Sequence, residues 1–328
     1  MPAGDARSAS TSLPRSLRDT TPAGSDPLDG TRPSGQDGEM IGDAPTNERR
    51  LEEGIHTDPG PLTYAEYLHL DEILGAQHPR SRPVHHDELL FIIQHQTTEL
   101  WLKLMLHELV SARDGFRTDA VPLALKRLAR VKHIQHTLSE QWSVLATLTP
   151  SEYLEFRDFL ASSSGFQSYQ YRAVEFILGN KNADMLAVFA DDQPAEAMLT
   201  ALLESPTLYD EFLRHLARQG FPVPDSVLSR DVSEPYRQHD ELLETFKIIY
   251  SEPQRHWSAY ETCEELIDVE DNFQQWRFRH LKVVERTIGH KVGTGGSSGV
   301  DFLHAALDLT FFPELYAVRT ILEPPAHR

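Results

Sequence analysis

The sequence predicts an all-α protein, and three observations support that prediction. From about residue 61 onward, apolar residues recur every three or four positions, which aligns side chains along one side of a helix. Helix-start signals occur at Thr63-Tyr-Ala-Glu66 and Thr149-Pro-Ser-Glu152, where a threonine is followed three residues later by a glutamate. Two-residue alternation in Val, Ile and Thr runs is missing, as are Asn-Gly hairpin signals.

Residues 1–60 have a different composition, rich in Pro, Gly, Ser, Thr and Asp and almost free of large apolar side chains. Such a segment cannot bury enough apolar surface to offset the entropy lost on ordering. We therefore expect a disordered acidic tail over residues 1–60 and an all-helical domain over residues 61–328.

The first predicted helix begins at the Thr63 signal and runs through Leu74. Asp87 starts a long helix from Leu89 to about Ala112, which is apolar nearly all round and therefore predicted to be buried. A third helix covers about residues 120–145.

The helical pattern continues through the rest of the chain. The Thr149 signal, with proline at the first helical position, opens a helix to about Ala161. After a Ser/Gly break, a further helix runs from Phe166 to Leu178 and is closed by Gly179. Shorter helices are predicted over residues 183–218, 235–249, 255–267 and 271–289.

Composition excludes several classes of function. Acidic residues outnumber Lys and Arg by 50 to 31, and the net charge of −19 argues against nucleic acid or an anionic membrane as the main partner. One cysteine, Cys263, excludes an internal disulfide framework and a Cys-rich metal site. No apolar run approaches the roughly 20 residues that span a bilayer. The N-terminus lacks the apolar core of a secretion signal, so we expect a cytoplasmic protein without a membrane partner.

Two histidines lie on apolar helix faces. His280 is in line with Phe273, Trp276, Val284 and Ile288, and His95 has Phe91 one turn before it and Glu99 one turn after. A buried imidazole needs a hydrogen bond or a metal for its nitrogens. Each could be a hydrogen-bonded core residue, with Glu99 or a backbone carbonyl as the partner of His95. Alternatively, each faces a pocket.

Two further features are suited to a polar ligand. Arg157 follows Tyr153 by four residues among aromatic side chains, which fits either a bidentate carboxylate contact or a surface arginine paired with a nearby acid. The run Gly293–Gly299 offers free N–H groups and close backbone approach, although Gly/Ser runs are more often flexible linkers. The run is not a P-loop, because no strand precedes it and no Gly-Lys-Ser/Thr closes it.

Other metal sites are disfavoured. Glu53-x-x-His56 and Glu66-x-x-His69 match the spacing of a di-iron bundle, but the first lies in or near the tail. The cluster His85-His86-Asp87 has no convincing distant partner for zinc.

Four stretches, taken together and in this order, are specific. They are Leu62–Leu68, Phe91–Trp101, Ser162–Arg172, and Trp276-Arg-Phe-Arg-His280 with its glycine loop. Over about residues 61–322 the chain resembles the haem-dependent tryptophan 2,3-dioxygenases. That resemblance implies a helical haem-dioxygenase fold and conversion of L-tryptophan and O2 into N-formyl-L-kynurenine, the first step of the kynurenine pathway.

The resemblance also implies residue roles. His280 would be the axial ligand of haem b iron, and His95 would lie on the distal side near the indole N–H. Phe91 would form a wall of the indole pocket, while Arg157, with Tyr153 beside it, and Thr294 would bind the zwitterionic end of the substrate. The further residues implied are Ser164 and Trp142 near the haem and its distal pocket, and Tyr64, Tyr67 and Leu68 reaching a neighbouring subunit's site. The last three imply a homotetramer with shared active sites.

Three rival interpretations remain open. One is a haem-binding or tryptophan-responsive sensor without turnover, although such a protein need not keep Arg157, Thr294 and His95 together. Another is a dioxygenase for a substituted tryptophan or other indole, because one methyl group changes discrimination by only about 1–3 kcal/mol. The third is a helical scaffold without haem.

Overall fold

The structure is a computed structural model that describes Ile55 and residues 60–323. Within these residues every regular element is helical, which confirms the all-α prediction. The α-helices are α1 Tyr64–Leu68, α2 Leu70–Leu74, α3 Glu88–Arg117, α4 Val121–Glu140, α5 Trp142–Leu145, α6 Pro150–Phe156, α7 Tyr169–Leu178, α8 Gln193–Leu203, α9 Leu208–Arg218, α10 Asp225–Leu228, α11 Leu243–Ser251, α12 Trp257–Ile288, α13 Val300–Ala305 and α14 Pro313–Ile321. The predicted tail and the Glu53/His56 pair lie outside the described residues, apart from Ile55 and Gly60.

Three long helices form the centre of the fold. Helix α4 packs against both α3 and α12, and α3 also packs against α7 and α9. The shared core is fully buried at Leu109 on α3, Val131 on α4 and Leu266 on α12. The Gln135 amide donates to the Val269 carbonyl at 2.9 Å, which fixes α4 along α12. Two of these three helices carry the predicted site histidines: α3 carries His95 and α12 carries His280.

Both predicted capping boxes form, but the helices that follow are shorter than predicted. Thr63 and Thr149 each accept the backbone N–H three residues on, and the glutamates at those positions cap in return. The first helix is interrupted at His69, whose φ of 51° places it in the left-handed region. The predicted helix to Ala161 is wrong beyond Phe156, because the chain tightens there into a 3-10 helix, Arg157–Leu160.

Several other boundaries also differ. The segments predicted at 255–267 and 271–289 form one helix, α12, because the acidic residues between them do not break it. Helix α7 begins at Tyr169, where the Ser168 hydroxyl caps it, instead of at Phe166. Helices α10, α13 and α14 were not predicted. No helix in residues 60–323 combines the length and apolar character needed to cross a membrane.

Candidate active site

A cavity of about 470 Å³ lies between the central helices and the glycine loop. Its wall brings together seven of the predicted site residues: Phe91, His95, Trp142, Tyr153, Ser164, His280 and Thr294. The volume falls within the range of small-molecule and cofactor sites, and the wall is mainly apolar with a few polar groups. The sequence-predicted residues therefore meet around one space, although they come from separate helices and loops.

His280 faces this cavity without a hydrogen-bond partner among the described residues. Its ring stacks on Trp142 with centroids 4.7 Å apart and planes 7° apart, and Trp276, one turn earlier on α12, packs at 5.6 Å. Burial, and secondarily the proximity of His95, lower the pKa of His280 to about 4. The imidazole is therefore neutral at pH 7 and retains a lone pair. The alternative that His280 is a hydrogen-bonded core residue therefore finds no support in residues 60–323.

His95, on α3, lines the same cavity, and one of its ring nitrogens has a hydrogen-bond partner among the described residues. Its Nδ1 lies 2.7 Å from the Phe91 carbonyl oxygen, and the Phe91 ring packs on it at 4.2 Å. Because a carbonyl can only accept, Nδ1 carries the proton and Nε2 is an unprotonated acceptor. Burial lowers the pKa of His95, against the opposing effects of the Phe91 carbonyl and of Glu99. The Glu99 carboxylate itself accepts from the Gln170 amide at 2.9 Å.

Arg157 lies beside this cavity without forming part of its wall. It is the C-cap of α6, with α-helical backbone angles and its N–H bonded to the Tyr153 carbonyl, so it keeps the predicted helical spacing from Tyr153. Its Nη2 donates to the Val292 carbonyl at 2.7 Å, and its buried Nε has no acceptor among residues 60–323. Among those residues Arg157 forms no ion pair with a neighbouring acid, which was the alternative considered from the sequence. Arg157 instead holds the chain where the glycine loop begins.

Hydrogen bonds fix the glycine loop, Gly293–Gly299, so it is not the flexible linker that its Gly/Ser composition would also fit. The Thr294 hydroxyl donates to the Ser163 carbonyl at 2.6 Å, and Gly293 N–H donates to the Ser297 carbonyl at 3.1 Å. A side chain at Gly295 would meet the Ser164 Cβ at 2.7 Å. The loop therefore closes directly on the Ser163–Ser164 segment and completes one wall of the cavity.

The three residues expected to serve a neighbouring subunit lie apart from this cavity wall. Tyr64 and Tyr67 are 76% and 71% exposed, and helix α1, which also contains Leu68, has no buried residue. Residues 60–323 therefore offer these aromatic side chains little contact.

Among the cavity residues that sequence reasoning did not assign to the site are Tyr171, Arg172, Glu175 and Trp276. Trp276 was placed on the apolar face of His280, but nothing in the spacing distinguished a cavity residue from a core residue there. Tyr171 and Arg172 stand at the end of the Ser162–Arg172 stretch, but nothing in that pattern indicates which of its residues point inward. Glu175 gave no signal, because an isolated acid on a helix is usually exposed.

The donor set fits a haem better than a bare metal ion. No group of three His, Cys, Asp or Glu side chains able to hold a metal occurs in the part of the chain that the structure describes. A porphyrin supplies four nitrogen ligands itself and needs a single axial residue, for which His280 has its lone pair available. Trp142 and Trp276 line the same cavity, and their buried indole Nε1 groups have no acceptor among residues 60–323. These orphaned donors match an occupant that carries acceptor groups.

Comparisons with known proteins agree on one family. A family model described as "Tryptophan 2,3-dioxygenase" matches residues 51–247 and 244–322. The chain is 67% identical over 282 residues to the protein of that name from Kineococcus radiotolerans, covering 86% of this chain and 99% of the relative. It is 64% identical over 275 residues to the one from Saccharopolyspora erythraea, covering 84% and 98%. Identity to the Arthrobacter sp. relative is 62% over 275 residues, covering 84% and 97%.

Proposed function

The chain belongs to the tryptophan 2,3-dioxygenase family, and on that premise we propose that it adds both atoms of O2 across the indole C2–C3 bond of L-tryptophan. The product is N-formyl-L-kynurenine, and the reaction opens the kynurenine pathway of tryptophan degradation. The observation that carries this proposal is the cavity that unites His280, which has no hydrogen-bond partner among the described residues, with the free Nε2 of His95.

His280 is the residue that holds haem b, and Trp142 fixes the plane of its imidazole by stacking. The low pKa of His280, about 4, keeps a lone pair available at neutral pH without competition from protons. Bound haem, with its iron in the ferrous state, supplies the O2 chemistry of the reaction. The protein's own contribution is to bind, orient and exclude water.

His95 orients the substrate through a hydrogen bond. Its Nδ1–H is committed to the Phe91 carbonyl, so Nε2 accepts the indole N–H. Phe91, packed against Tyr153 at 5.9 Å and Phe156 at 5.6 Å, is the rigid wall against which the indole lies. An apolar wall and one directed acceptor suit a large ring with a single N–H donor.

Arg157, Thr294 and Ser164 form the polar end of the site. A tryptophan carboxylate competes with the Val292 carbonyl for the Arg157 guanidinium, whose buried Nε lacks an acceptor among the described residues. A charged acceptor binds a guanidinium more strongly than a neutral carbonyl does. Because Val292 precedes the glycine loop, substrate binding at Arg157 is coupled to the position of that loop and of Thr294.

The oligomer is a homotetramer in which Tyr64, Tyr67 and Leu68 reach a neighbouring subunit's site. The support for this is the large exposure of the two tyrosines and the absence of buried residues in α1. The compartment is the cytoplasm, where a buried, unpaired thiol such as Cys263 stays reduced.

The test is an absorbance time course on the purified, reduced protein in air, before and after L-tryptophan is added. We expect a haem Soret band, followed by the near-ultraviolet band of formylkynurenine. Haem without product would replace this proposal with a sensor, or with a dioxygenase for a substituted indole, which ring- and β-methylated tryptophans would then reveal. Absence of haem after reconstitution would refute the assignment of His280.

A further inference from the structure

Arg172 is a cavity residue that the proposed reaction does not yet use. It is 8% exposed, lies on α7 and forms part of the cavity wall. Its guanidinium carbon lies 5.7 Å from the ring centroid of Phe166 and 5.9 Å from that of Tyr171, within cation–π distance. These contacts restrict the position of the cation before any ligand arrives.

Only one edge of this guanidinium is engaged. Nη1 donates to the Glu175 carboxylate, one turn later on α7. Nε is buried without an acceptor, and Nη2 makes no hydrogen bond to any described residue. Nε and Nη2 together form the side-on edge that pairs with both oxygens of a carboxylate. The free edge is therefore the one with carboxylate-binding geometry.

The charges around Arg172 leave an excess of positive charge. Glu175 is shared, because its other oxygen accepts from the Arg277 Nη2 at 2.9 Å, and both residues are 3% exposed. Two guanidiniums thus face one carboxylate. The other carboxylate in the cavity wall, Glu99, accepts from the Gln170 amide. Glu270, which interacts with Arg277, offsets little of that positive charge below neutral pH, because burial raises its pKa to about 7. Buried charge of this kind is stable only with a counter-charge, which the cavity occupant can supply.

We propose that the free edge of Arg172 binds a carboxylate of the cavity's occupant, and that this carboxylate is a propionate of haem b. The inference rests on the proposed cofactor and adds a residue to it. Tryptophan also carries a carboxylate, but Arg157 and Thr294 already form a polar end at the glycine loop. Tyr171, the neighbour of Arg172, packs on Trp276 at 5.5 Å, and Trp276 packs on His280. Arg172 thus belongs to the packing around the haem ligand.

The test is the rate at which the full-length holoprotein releases haem to excess apomyoglobin. Arg172→Gln should release haem roughly 10- to 100-fold faster, the loss expected for a charge-assisted hydrogen-bonded pair. Arg172→Lys keeps the charge but not the two-point contact, so its rate of haem release should lie between those of the wild type and Arg172→Gln. The matched control is Arg214→Gln, which removes a comparable pair with the buried Glu211 on α9, outside this cavity wall, and should release haem as the wild type does.

Haem dimethyl ester, which lacks free propionates, identifies the source of the carboxylate. With the ester, Arg172→Gln and the wild type should release their haem at equal rates, and the wild type should hold the ester less tightly than haem b. The wild-type comparison stands even if Arg172→Gln does not fold. Equal release of haem b and the ester by the wild type overturns the proposal.

Binding measurements with tryptophan test the other possible source of the carboxylate, which is the substrate. If Arg172→Gln weakens binding of tryptophan, but not of tryptamine, and leaves haem release unchanged, then the carboxylate is the substrate's and the propionate assignment is wrong. A wild type that binds no haem would defeat the proposed function itself. A wild type that forms formylkynurenine while Arg172→Gln matches it in every arm would defeat this inference alone.

Discussion

At the scale of single residues, the bond between His95 Nδ1 and the Phe91 carbonyl decides which nitrogen can meet a substrate. Since the carbonyl holds the proton on Nδ1 and burial lowers the pKa of His95, Nε2 remains an acceptor at neutral pH. An acceptor placed against an N–H donor contributes binding and orientation. It has no proton of its own to supply at that nitrogen.

His95→Ala should therefore raise KM for tryptophan roughly 3- to 10-fold, the effect of one lost hydrogen bond, and lower kcat less. The measurement is steady-state kinetics on the haem-loaded protein. 1-Methyltryptophan, which has no indole N–H, serves as the control ligand, because the variant should bind it as well as tryptophan. Complete loss of turnover with tryptophan binding intact would instead make His95 a base.

The positions of residues on long helices were predictable, and the contacts that side chains make with distant segments were not. The three- and four-residue spacing brought His95 and His280 to buried faces, which the structure places around one cavity. Arg157 keeps its expected helical spacing from Tyr153, but its hydrogen bond to the Val292 carbonyl joins segments 135 residues apart and has no sequence signal. Arg172 was missed, because its role depends on Glu175 and Arg277, and no sequence pattern shows that a guanidinium has a free edge.

At the scale of elements, the glycine loop is a wall of the cavity and lies close to Ser164 because residue 295 has no side chain. Gly295 approaches Ser164 so closely that an added Cβ would lie 2.7 Å from the Ser164 Cβ and 2.9 Å from its Oγ. Contacts this short require the loop to move. Movement would also strain the bond between Thr294 and the Ser163 carbonyl.

Gly295→Ala should consequently raise KM for tryptophan and leave the thermal unfolding midpoint nearly unchanged. The comparison is Gly296→Ala, where the added methyl group meets nothing within 4 Å and the only penalty is the left-handed backbone, with φ of 84°. That penalty is about 1 kcal/mol of stability. If both variants bind tryptophan as the wild type does, the loop does not take part in substrate binding.

The joint between α12 and α14 contains a buried acid that should make stability depend on pH. The Glu270 carboxylate accepts the Phe312 N–H at 2.9 Å, just before α14 begins, and is 1% exposed. Burial raises its pKa to about 7, against the Phe312 and Phe311 N–H groups and Arg277. Tyr316 also faces it. Because the folded pKa exceeds the unfolded one, stability is fully present below about pH 4.5 and is lost as pH rises through 7.

Glu270→Gln keeps an acceptor for Phe312 but cannot ionise. Relative to the wild type, it should gain roughly 1–3 kcal/mol of unfolding free energy between pH 5 and pH 8. Denaturant unfolding of the haem-free chain at a series of pH values measures this. Glu285→Gln on the same helix is the control, since Lys282 lowers the pKa of Glu285 and no change is expected in that range. A pH-independent difference for Glu270→Gln would refute the buried ionisation.

Helices were predicted where the apolar periodicity extends over many residues and were missed where it is interrupted. Helices α3, α4 and α7 were found with errors at their ends, since helix ends depend on capping contacts that the apolar spacing does not encode. Helices α13 and α14 follow the glycine loop and have 6 and 9 residues, too few for a clear period. Their position comes from packing against α12 and α11.

At the scale of the whole molecule, helices α1 and α2 have apolar side chains that the described part of the chain leaves exposed. Neither α1 nor α2 has a buried residue, while Tyr64 and Leu74 are 76% and 70% exposed. An exposed apolar surface of this kind usually marks an interface. The net charge of −19 opposes association of identical chains, so apolar contacts of this sort would have to offset the repulsion.

If such an interface completes a neighbour's active site, two inactive chains should restore activity when mixed. One chain carries His280→Ala and so lacks the haem ligand but keeps its tyrosines; the other carries Tyr64→Ser with Tyr67→Ser. In co-expressed oligomers, a haem-bearing cavity of the second chain can receive the tyrosines of the first. We expect formylkynurenine production well above that of either variant alone, measured on oligomers isolated through a different tag on each chain. Mixed oligomers that remain as inactive as their parents would place each active site within a single subunit.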